Sequence, residues 1–84
     1  MLKVRVEYYG ILQEICGTRA EEIELDEHEN ATVSQAVSHL AEQHPGLSAY
    51  REYMACALDT ELSEEDSSLH DGAVLALLPP VSGG

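Results

Sequence analysis

The C-terminal stretch LLPPVSGG contains the residues whose types and spacing point most directly to chemistry. Pro79 and Pro80 have no backbone N–H to give to a sheet, so they end the preceding apolar run and favour an extended, polyproline-like chain. Gly83 and Gly84 carry no Cβ atom, so they can enter a channel too narrow for other residues. The six residues from Pro79 to Gly84 reach roughly 20 Å when extended. We therefore predict a stiff tail that carries the Gly84 carboxylate away from the folded domain.

A carboxylate at the tip of such a tail becomes an electrophile once it is converted to an acyl-adenylate. A sulfur donor then gives a thiocarboxylate, whose sulfur is a good nucleophile, whereas a lysine amine gives an isopeptide. Val81 and Ser82 join the prolines to the glycines, and we predict that they enter a partner together with them. The alternative is a flexible end without function. The direct run from an apolar strand through two prolines to the diglycine favours the functional interpretation.

The remainder of the sequence has no pattern that predicts a catalytic centre. His39 and His44 are five residues apart, whereas ligands on one helix face are three or four apart, and no HExxH motif is present. The acidic pairs are predicted to be a solvated surface. We therefore expect surface histidines, no metal site and no bound cofactor. Cys16 and Cys56 are predicted to be small core residues rather than a disulfide.

The charge of the chain restricts the classes of partner. It has 16 Asp and Glu residues against 4 Lys and Arg residues, a formal net charge of −12. Such a surface repels nucleic acids and anionic membranes, so we expect neither as a partner. The excess acid is either a solvated surface or a means of docking onto basic proteins by electrostatic steering. The start of the sequence is too charged for a signal peptide and no apolar run would span a bilayer, so we expect a cytoplasmic location.

The N-terminal part of the sequence predicts two strands joined by a helical turn. The alternation in LKVRVEYY places Leu2, Val4, Val6 and Tyr8 on one face of a strand. The segment ILQEIC then has the spacing of a short helix, and Gly17 fits its C-terminal cap. AEEIEL alternates again and predicts a second strand with an exposed acidic face.

The main helix is predicted over TVSQAVSHLAEQH, residues 32–44. Thr32 and Gln35 have the spacing of a capping box, and Pro45 and Gly46 end the helix. One apolar stripe runs along it, formed by Val33, Ala36, Val37, Leu40 and Ala41.

The C-terminal half predicts a short buried strand, a loop and a last strand. MACAL is the buried strand, and the polar loop DTELSEEDSSLHDG follows, with Leu62 and Leu69 expected as its apolar anchors. AVLALL is apolar on both faces, which is typical of a central strand. These elements predict an α+β fold with a mixed sheet of four to five strands packed on one main helix, and a β-grasp is the small fold with this order. We assign residues 1–78 to the domain and residues 79–84 to the tail.

The sequence resembles the MoaD/ThiS family of ubiquitin-like sulfur carriers, and most closely its MoaD branch, the small subunits of molybdopterin synthase. The resemblance is carried by KVRVEYYGILQEICG, by ATVSQAVSHLAEQHPGL and above all by LHDGAVLALLPPVSGG. It covers nearly the whole chain, and its most specific part is the PPVSGG ending.

This resemblance implies a β-grasp fold and a carrier without an active site of its own. It implies that a ubiquitin-activating-type, MoeB-like enzyme uses ATP to adenylate Gly84, and that a sulfurtransferase supplies the sulfur of a Gly84 thiocarboxylate. The tail would enter the large, MoaE-like subunit of the synthase. There it would give its sulfur to the pterin precursor, cyclic pyranopterin monophosphate, during molybdenum cofactor synthesis.

Three other functions remain open at this point. The first is a ubiquitin-like modifier, similar to the small archaeal modifiers, which is conjugated through Gly84 to lysines. The second is an interaction module of the same fold with an inert tail. The third is a carrier of the thiamin pathway, which we do not favour because such carriers are usually shorter and lack the PPVSGG ending.

Overall fold

The computed structural model describes residues 1–26 and 31–80, whose strands form a single mixed sheet with the helices packed on one face. The strands are β1 (Leu2–Tyr8), β2 (Ala20–Leu25), β3 (Ala55–Leu58), β4 (Glu61–Ser63) and β5 (Ala73–Leu78). The helices are α1 (Ile11–Cys16), α2 (Val33–Gln43) and a 3-10 helix (Pro45–Ala49). The strand order is β2-β1-β5-β3-β4, so the predicted α+β architecture with one main helix is confirmed.

β5, the AVLALL segment that the sequence predicts to be central, is the middle strand of the sheet, and β1 lies beside it. β1 and β5 run parallel, with Val6 opposite Leu75 and Tyr8 opposite Leu77. All four of these side chains lie on the inner face of the sheet and are almost fully buried. The other pairs of neighbouring strands are antiparallel. The prediction that AVLALL is a central strand is therefore confirmed.

Helix α2 begins at the predicted capping box. The Thr32 hydroxyl accepts from the Gln35 backbone N–H at 3.2 Å, and the Gln35 Oε1 accepts from the Thr32 backbone N–H at 3.1 Å. The apolar stripe faces the sheet, with Val33, Ala36, Val37 and Leu40 buried. No helix in the two described ranges is long and apolar enough to cross a membrane.

The loop predicted between β3 and β5 contains the short strand β4. Asp59 and Thr60 both have positive φ, 49° and 74°, which is the backbone of a two-residue hairpin turn. Leu62 lies on β4 opposite Ala57, and its side chain is 79% exposed, so its predicted role as a core anchor is wrong. Leu69, the other predicted anchor, is buried as expected.

Candidate functional site: the root of the C-terminal tail

The tail leaves the sheet from the end of its central strand. Pro79 is half-buried and Pro80 is exposed. Because β1 and β5 are parallel, Pro79 lies beside Gly10, just past the end of β1. A Cβ atom placed on Gly10 would be 2.9 Å from the Pro79 Cγ, and Gly10 has a φ of 57°. Glycine at position 10 therefore leaves the space that Pro79 occupies, and this contact fixes where the tail begins.

The structure places two of the six predicted tail residues. Val81, Ser82, Gly83 and Gly84 lie outside the described residues, so their insertion into a partner and the chemistry of Gly84 stay predictions. The described part of the site is the tail root and the surfaces beside it.

Within residues 1–26 and 31–80, one face of the sheet carries no helix. Ala73, Leu75 and Leu77 of β5 point into the core, so the alternate side chains of β5 point to the opposite, outer face. The register brings the outward side chains of β3 and β4 beside them. We call this set the outer apolar patch: Ala55, Ala57, Leu62, Val74, Ala76 and Leu78. The Leu62 side chain in this patch is largely exposed, and an exposed apolar surface of this kind is typical of a docking site.

Further exposed apolar side chains gather at the end of the sheet where the tail begins. Tyr9 and Ile11 directly follow β1, and Tyr53 lies two residues before Ala55, which is paired with Leu78. The three are 45%, 43% and 65% exposed. Aromatic side chains are common anchors of protein interfaces. The tail root is thus continuous with a surface suited to binding another protein.

Charged side chains of β1 border the outer apolar patch. Arg5 lies opposite Val74 and Glu7 lies opposite Ala76 in the β1–β5 register. The Arg5 Nε donates to the Glu7 Oε2 at 3.2 Å, and both groups reach solvent. An apolar centre with a charged rim is the usual anatomy of a protein interface.

A half-buried polar cluster joins β1, β2 and the end of α2. The Tyr8 hydroxyl donates to the Glu21 Oε2 at 2.7 Å, and the His44 Nε2 lies 2.8 Å from the same oxygen. Burial first, and the bond to Glu21 second, raise the pKa of Tyr8 far above its usual value. The His44 side chain is 19% exposed, so the prediction of a surface histidine is wrong here. Sequence reasoning missed the cluster because its members are far apart in the chain.

The described residues offer no activated nucleophile or metal site. Cys16 and Cys56 are free thiols packed against the core, as predicted, and burial raises the pKa of each. No group of three or more His, Cys, Asp or Glu side chains in residues 1–26 and 31–80 could hold a metal ion. The chemistry that this arrangement supports is therefore docking and presentation of the tail.

Comparison with known proteins gives matches along the whole chain. A family model described as the ThiS family matches residues 6–84. The molybdopterin synthase sulfur carrier subunit of Mycobacterium tuberculosis is 33% identical, with 100% of both chains covered. A putative molybdopterin converting factor subunit 1 from Pyrococcus furiosus has a TM-score of 0.85 at 28% identity, covering 96% of this chain and 100% of that chain. SAMP1 from Haloferax volcanii has a TM-score of 0.84 at 28% identity, covering 98% and 99%.

One similar structure also contains a second subunit. It is the complex of subunits 1 and 2 of the molybdopterin-converting factor from Helicobacter pylori, with a TM-score of 0.66, 26% identity, and 99% and 100% of the two chains covered. The solved structures confirm the predicted β-grasp fold. Since the family model spans all but the first five residues and a relative of 33% identity aligns from end to end, the chain belongs to the ThiS/MoaD family of ubiquitin-like proteins.

Proposed function

We propose that this protein is the sulfur carrier subunit of a molybdopterin synthase. The observation that carries the proposal is the tail root. A proline pair leaves the central strand beside an exposed apolar surface, and the family match continues through Gly84. A small domain that docks on one face and projects a narrow tail can deliver a reactive group into the active site of another protein.

The reaction sequence begins at the Gly84 carboxylate. A carboxylate oxygen attacks the α-phosphorus of ATP, which gives an acyl-adenylate and releases pyrophosphate. A sulfide equivalent from a sulfurtransferase then displaces AMP and leaves a thiocarboxylate. In the synthase, the thiocarboxylate sulfur is transferred to cyclic pyranopterin monophosphate, and the tail returns as a carboxylate after hydrolysis. The carrier supplies position and the reactive end, while the partner subunits supply the catalytic groups.

The surfaces beside the tail give each partner something to bind. The outer apolar patch and Tyr9, Ile11 and Tyr53 form the docking surface in this proposal, and Pro79 and Pro80 stiffen the approach of the tail. Its partners are the large, MoaE-like subunit, the MoeB-like activating enzyme and the sulfurtransferase. The solved two-subunit relative supports an assembly of this kind. The net charge of −12 favours encounter with basic partner surfaces.

The proposal is tested by reconstitution followed by fragmentation mass spectrometry of the C-terminus. The chain is incubated with an activating enzyme, ATP and a sulfur donor, and the replacement of oxygen by sulfur is localised to Gly84. We expect a thiocarboxylate, and formation of molybdopterin once the large subunit and the pterin precursor are added. A thiocarboxylate that transfers no sulfur to the pterin would contradict the proposed acceptor, and failure of adenylation would favour an inert tail.

A second candidate is the ubiquitin-like modifier. The likeness to SAMP1, the small archaeal modifier protein 1 of Haloferax volcanii, supports it at a TM-score of 0.84 and 28% identity. Both functions begin with adenylation of Gly84 and differ only in the acceptor. Peptides from the native cells in which Gly84 is joined to a lysine side chain would identify the modifier.

A further inference from the structure

The strand β2 forms one edge of the sheet and presents unpaired backbone groups. The Tyr8 N–H donates to the Arg19 carbonyl, and hydrogen-bonded pairs alternate along an antiparallel ladder. The backbone N–H and C=O groups of Glu21 and Ile23 therefore face β1, while those of Glu22 and Glu24 face away from it. In the described ranges no backbone partner is found for these outward groups.

One end of this edge is already closed. The Thr18 hydroxyl donates to the Ala20 carbonyl at 2.9 Å, and the Ala20 N–H donates to the Thr18 hydroxyl oxygen at 3.4 Å. The open part of the edge therefore begins after Ala20 and includes both groups of Glu22 and of Glu24. These open backbone groups are enough to hydrogen-bond a short extended peptide as an added strand.

A groove lies at the end of the open edge, between Leu25 and Asp26 and the helix α2. Its volume is about 290 Å³. Its lining residues are Leu25, Asp26, Ser34, Gln35, Ser38, His39 and Glu42. A strand added beside β2 would place alternate side chains in this groove and the others on the outer face of the sheet, beside Glu22 and Glu24. Ser34 and Ser38 of α2 line the groove, and their hydroxyls accept from the Arg51 guanidinium at 3.2 and 2.9 Å. Because these lining side chains are small, the groove suits small, uncharged side chains rather than basic ones.

The acidic side chains near the β2 edge indicate which kind of segment would bind there. Glu22 and Glu24 are exposed and lie on the outer face, where Arg5 and Lys3 of β1 lie opposite them on one side and the other side is open to an added strand. Arg5 is already bonded to Glu7, and Asp26 and Glu42 add acid to the groove. Acidic side chains on a free edge oppose pairing with a second copy of this chain, whose net charge is also −12. The same side chains attract a strand that carries lysine or arginine at alternate positions.

We propose that the β2 edge binds an extended basic segment of a partner protein as an added strand. Alternate basic side chains of the segment lie beside Glu22 and Glu24, and the small side chains between them enter the groove beside Leu25 and Ser38. This site goes beyond the proposed sulfur carriage. It is separate from the outer apolar patch, because β1 lies between β2 and β5. A partner bound here leaves the tail and its docking surface accessible.

The first test uses the full chain labelled with ¹⁵N and the peptide acetyl-Lys-Val-Lys-Val-Lys-Val-amide. We expect the peptide to slow hydrogen exchange of the Glu22 and Glu24 amides at least tenfold and to shift the resonances of Ser38 and His39. The control peptide has the same sequence with the lysine backbone nitrogens methylated, so it keeps the charge and loses the donors. It should give no protection. The proposal is overturned if the first peptide leaves both amides unprotected, or if the methylated peptide protects them equally.

A second test asks whether the charges of the β2 edge contribute to peptide binding in addition to its backbone hydrogen-bonding groups. The double variant Glu22→Gln, Glu24→Gln keeps the outward hydrogen-bonding groups and should bind the lysine peptide at least fivefold more weakly at low salt. The matched control is Glu14→Gln, Glu52→Gln, which removes the same charge from exposed sites outside the groove and should bind within twofold of the parent chain. Equal weakening in both pairs would mean general attraction to an acidic protein and would sink the proposal. Amide spectra that match the parent chain away from the substituted sites confirm that both double variants are folded.

Discussion

The His70 Nε2 lies 2.5 Å from the Asp59 Oδ2, which joins the β3–β4 turn to the segment that begins β5. The other carboxylate oxygen of Asp59 accepts from the Val74 backbone N–H at 2.9 Å. Asp59 also has a φ of 49°, a conformation that an L-residue rarely adopts without support. This pair therefore holds the turn in place at the end of β5 opposite the tail.

The pair should make stability depend on pH. The Val74 N–H first, and His70 second, hold the pKa of Asp59 below 3.8, while the bond to Asp59 raises the pKa of His70 above 6.5. A raised histidine pKa stabilises the fold below pH 6.5 and loses this effect as the pH rises through the folded-state pKa. A lowered aspartate pKa stabilises above pH 3.8 and loses this effect as the pH falls through its folded-state pKa. We expect the contribution to be largest between these two values.

The measurement is the urea midpoint of the wild-type chain and of His70→Gln from pH 3 to pH 9. The difference between them should be largest near pH 5 and should shrink toward alkaline pH. His39→Gln is the matched control, because His39 contacts Gln43 rather than a carboxylate. A difference that is the same at every pH would show that the charge pair does not contribute.

Two adjacent tyrosines give a matched test of the half-buried polar cluster formed by Tyr8, Glu21 and His44. Tyr8 is 1% exposed and donates to Glu21, whereas Tyr9 is 45% exposed and donates to Glu7 at 3.2 Å. Tyr8→Phe leaves a half-buried carboxylate with one partner fewer and should lower the free energy of unfolding by about 1–2 kcal/mol. Tyr9→Phe should change it by less than about 0.5 kcal/mol. Denaturant unfolding of both variants checks this, and equal effects would contradict a role of the cluster in stability.

The parts of the fold that follow local periodicity could be predicted from the sequence. β1 alternates with period two, and α2 has both an apolar stripe and a capping box at Thr32, so each was predicted with nearly correct ends. β4 was missed because its turn uses Asp59 and Thr60, and threonine rarely adopts a positive φ. The prediction of Leu62 as a core anchor is wrong because hydrophobicity alone does not tell which face of the sheet is covered.

The candidate site could likewise be predicted only in part from the sequence. The chemical types of the tail residues could be read directly, because prolines and glycines restrict the backbone wherever they occur. The contact of Gly10 with Pro79 could not be predicted from the sequence. It depends on the parallel pairing of β1 and β5, which brings together residues that are 69 positions apart in the chain. The bond between Glu21 and His44 depends in the same way on how α2 packs against the sheet.

The outer apolar patch can be tested at its exposed leucine, Leu62. Leu62→Ser removes a side chain that is 79% exposed, so it should change the free energy of unfolding by less than about 0.5 kcal/mol. If the patch docks the large subunit, the same change should weaken binding about tenfold or more. Calorimetric titration with the large subunit measures this. Glu61→Gln, the neighbouring position on β4 whose side chain points to the other face, is the control. If wild type and Leu62→Ser bind the large subunit with equal affinity, Leu62 is not part of the docking surface.

Deletion of Gly84 separates the reactive end from the fold. The five-stranded sheet and the core cluster of the described residues are built from residues 2–78. We therefore expect the deletion to leave the melting temperature within about 1 °C, because it removes no residue of that sheet or cluster. Adenylation and sulfur transfer should fall to background, because the activated carbonyl no longer reaches the partner active sites. The measurement is pyrophosphate release by the activating enzyme, followed by molybdopterin formation. Ser82→Ala is the control, since it keeps the length of the tail and both glycines and should retain most of the transfer. A Gly84-deleted chain that still carries sulfur would show that the tip of the tail is not the site of activation.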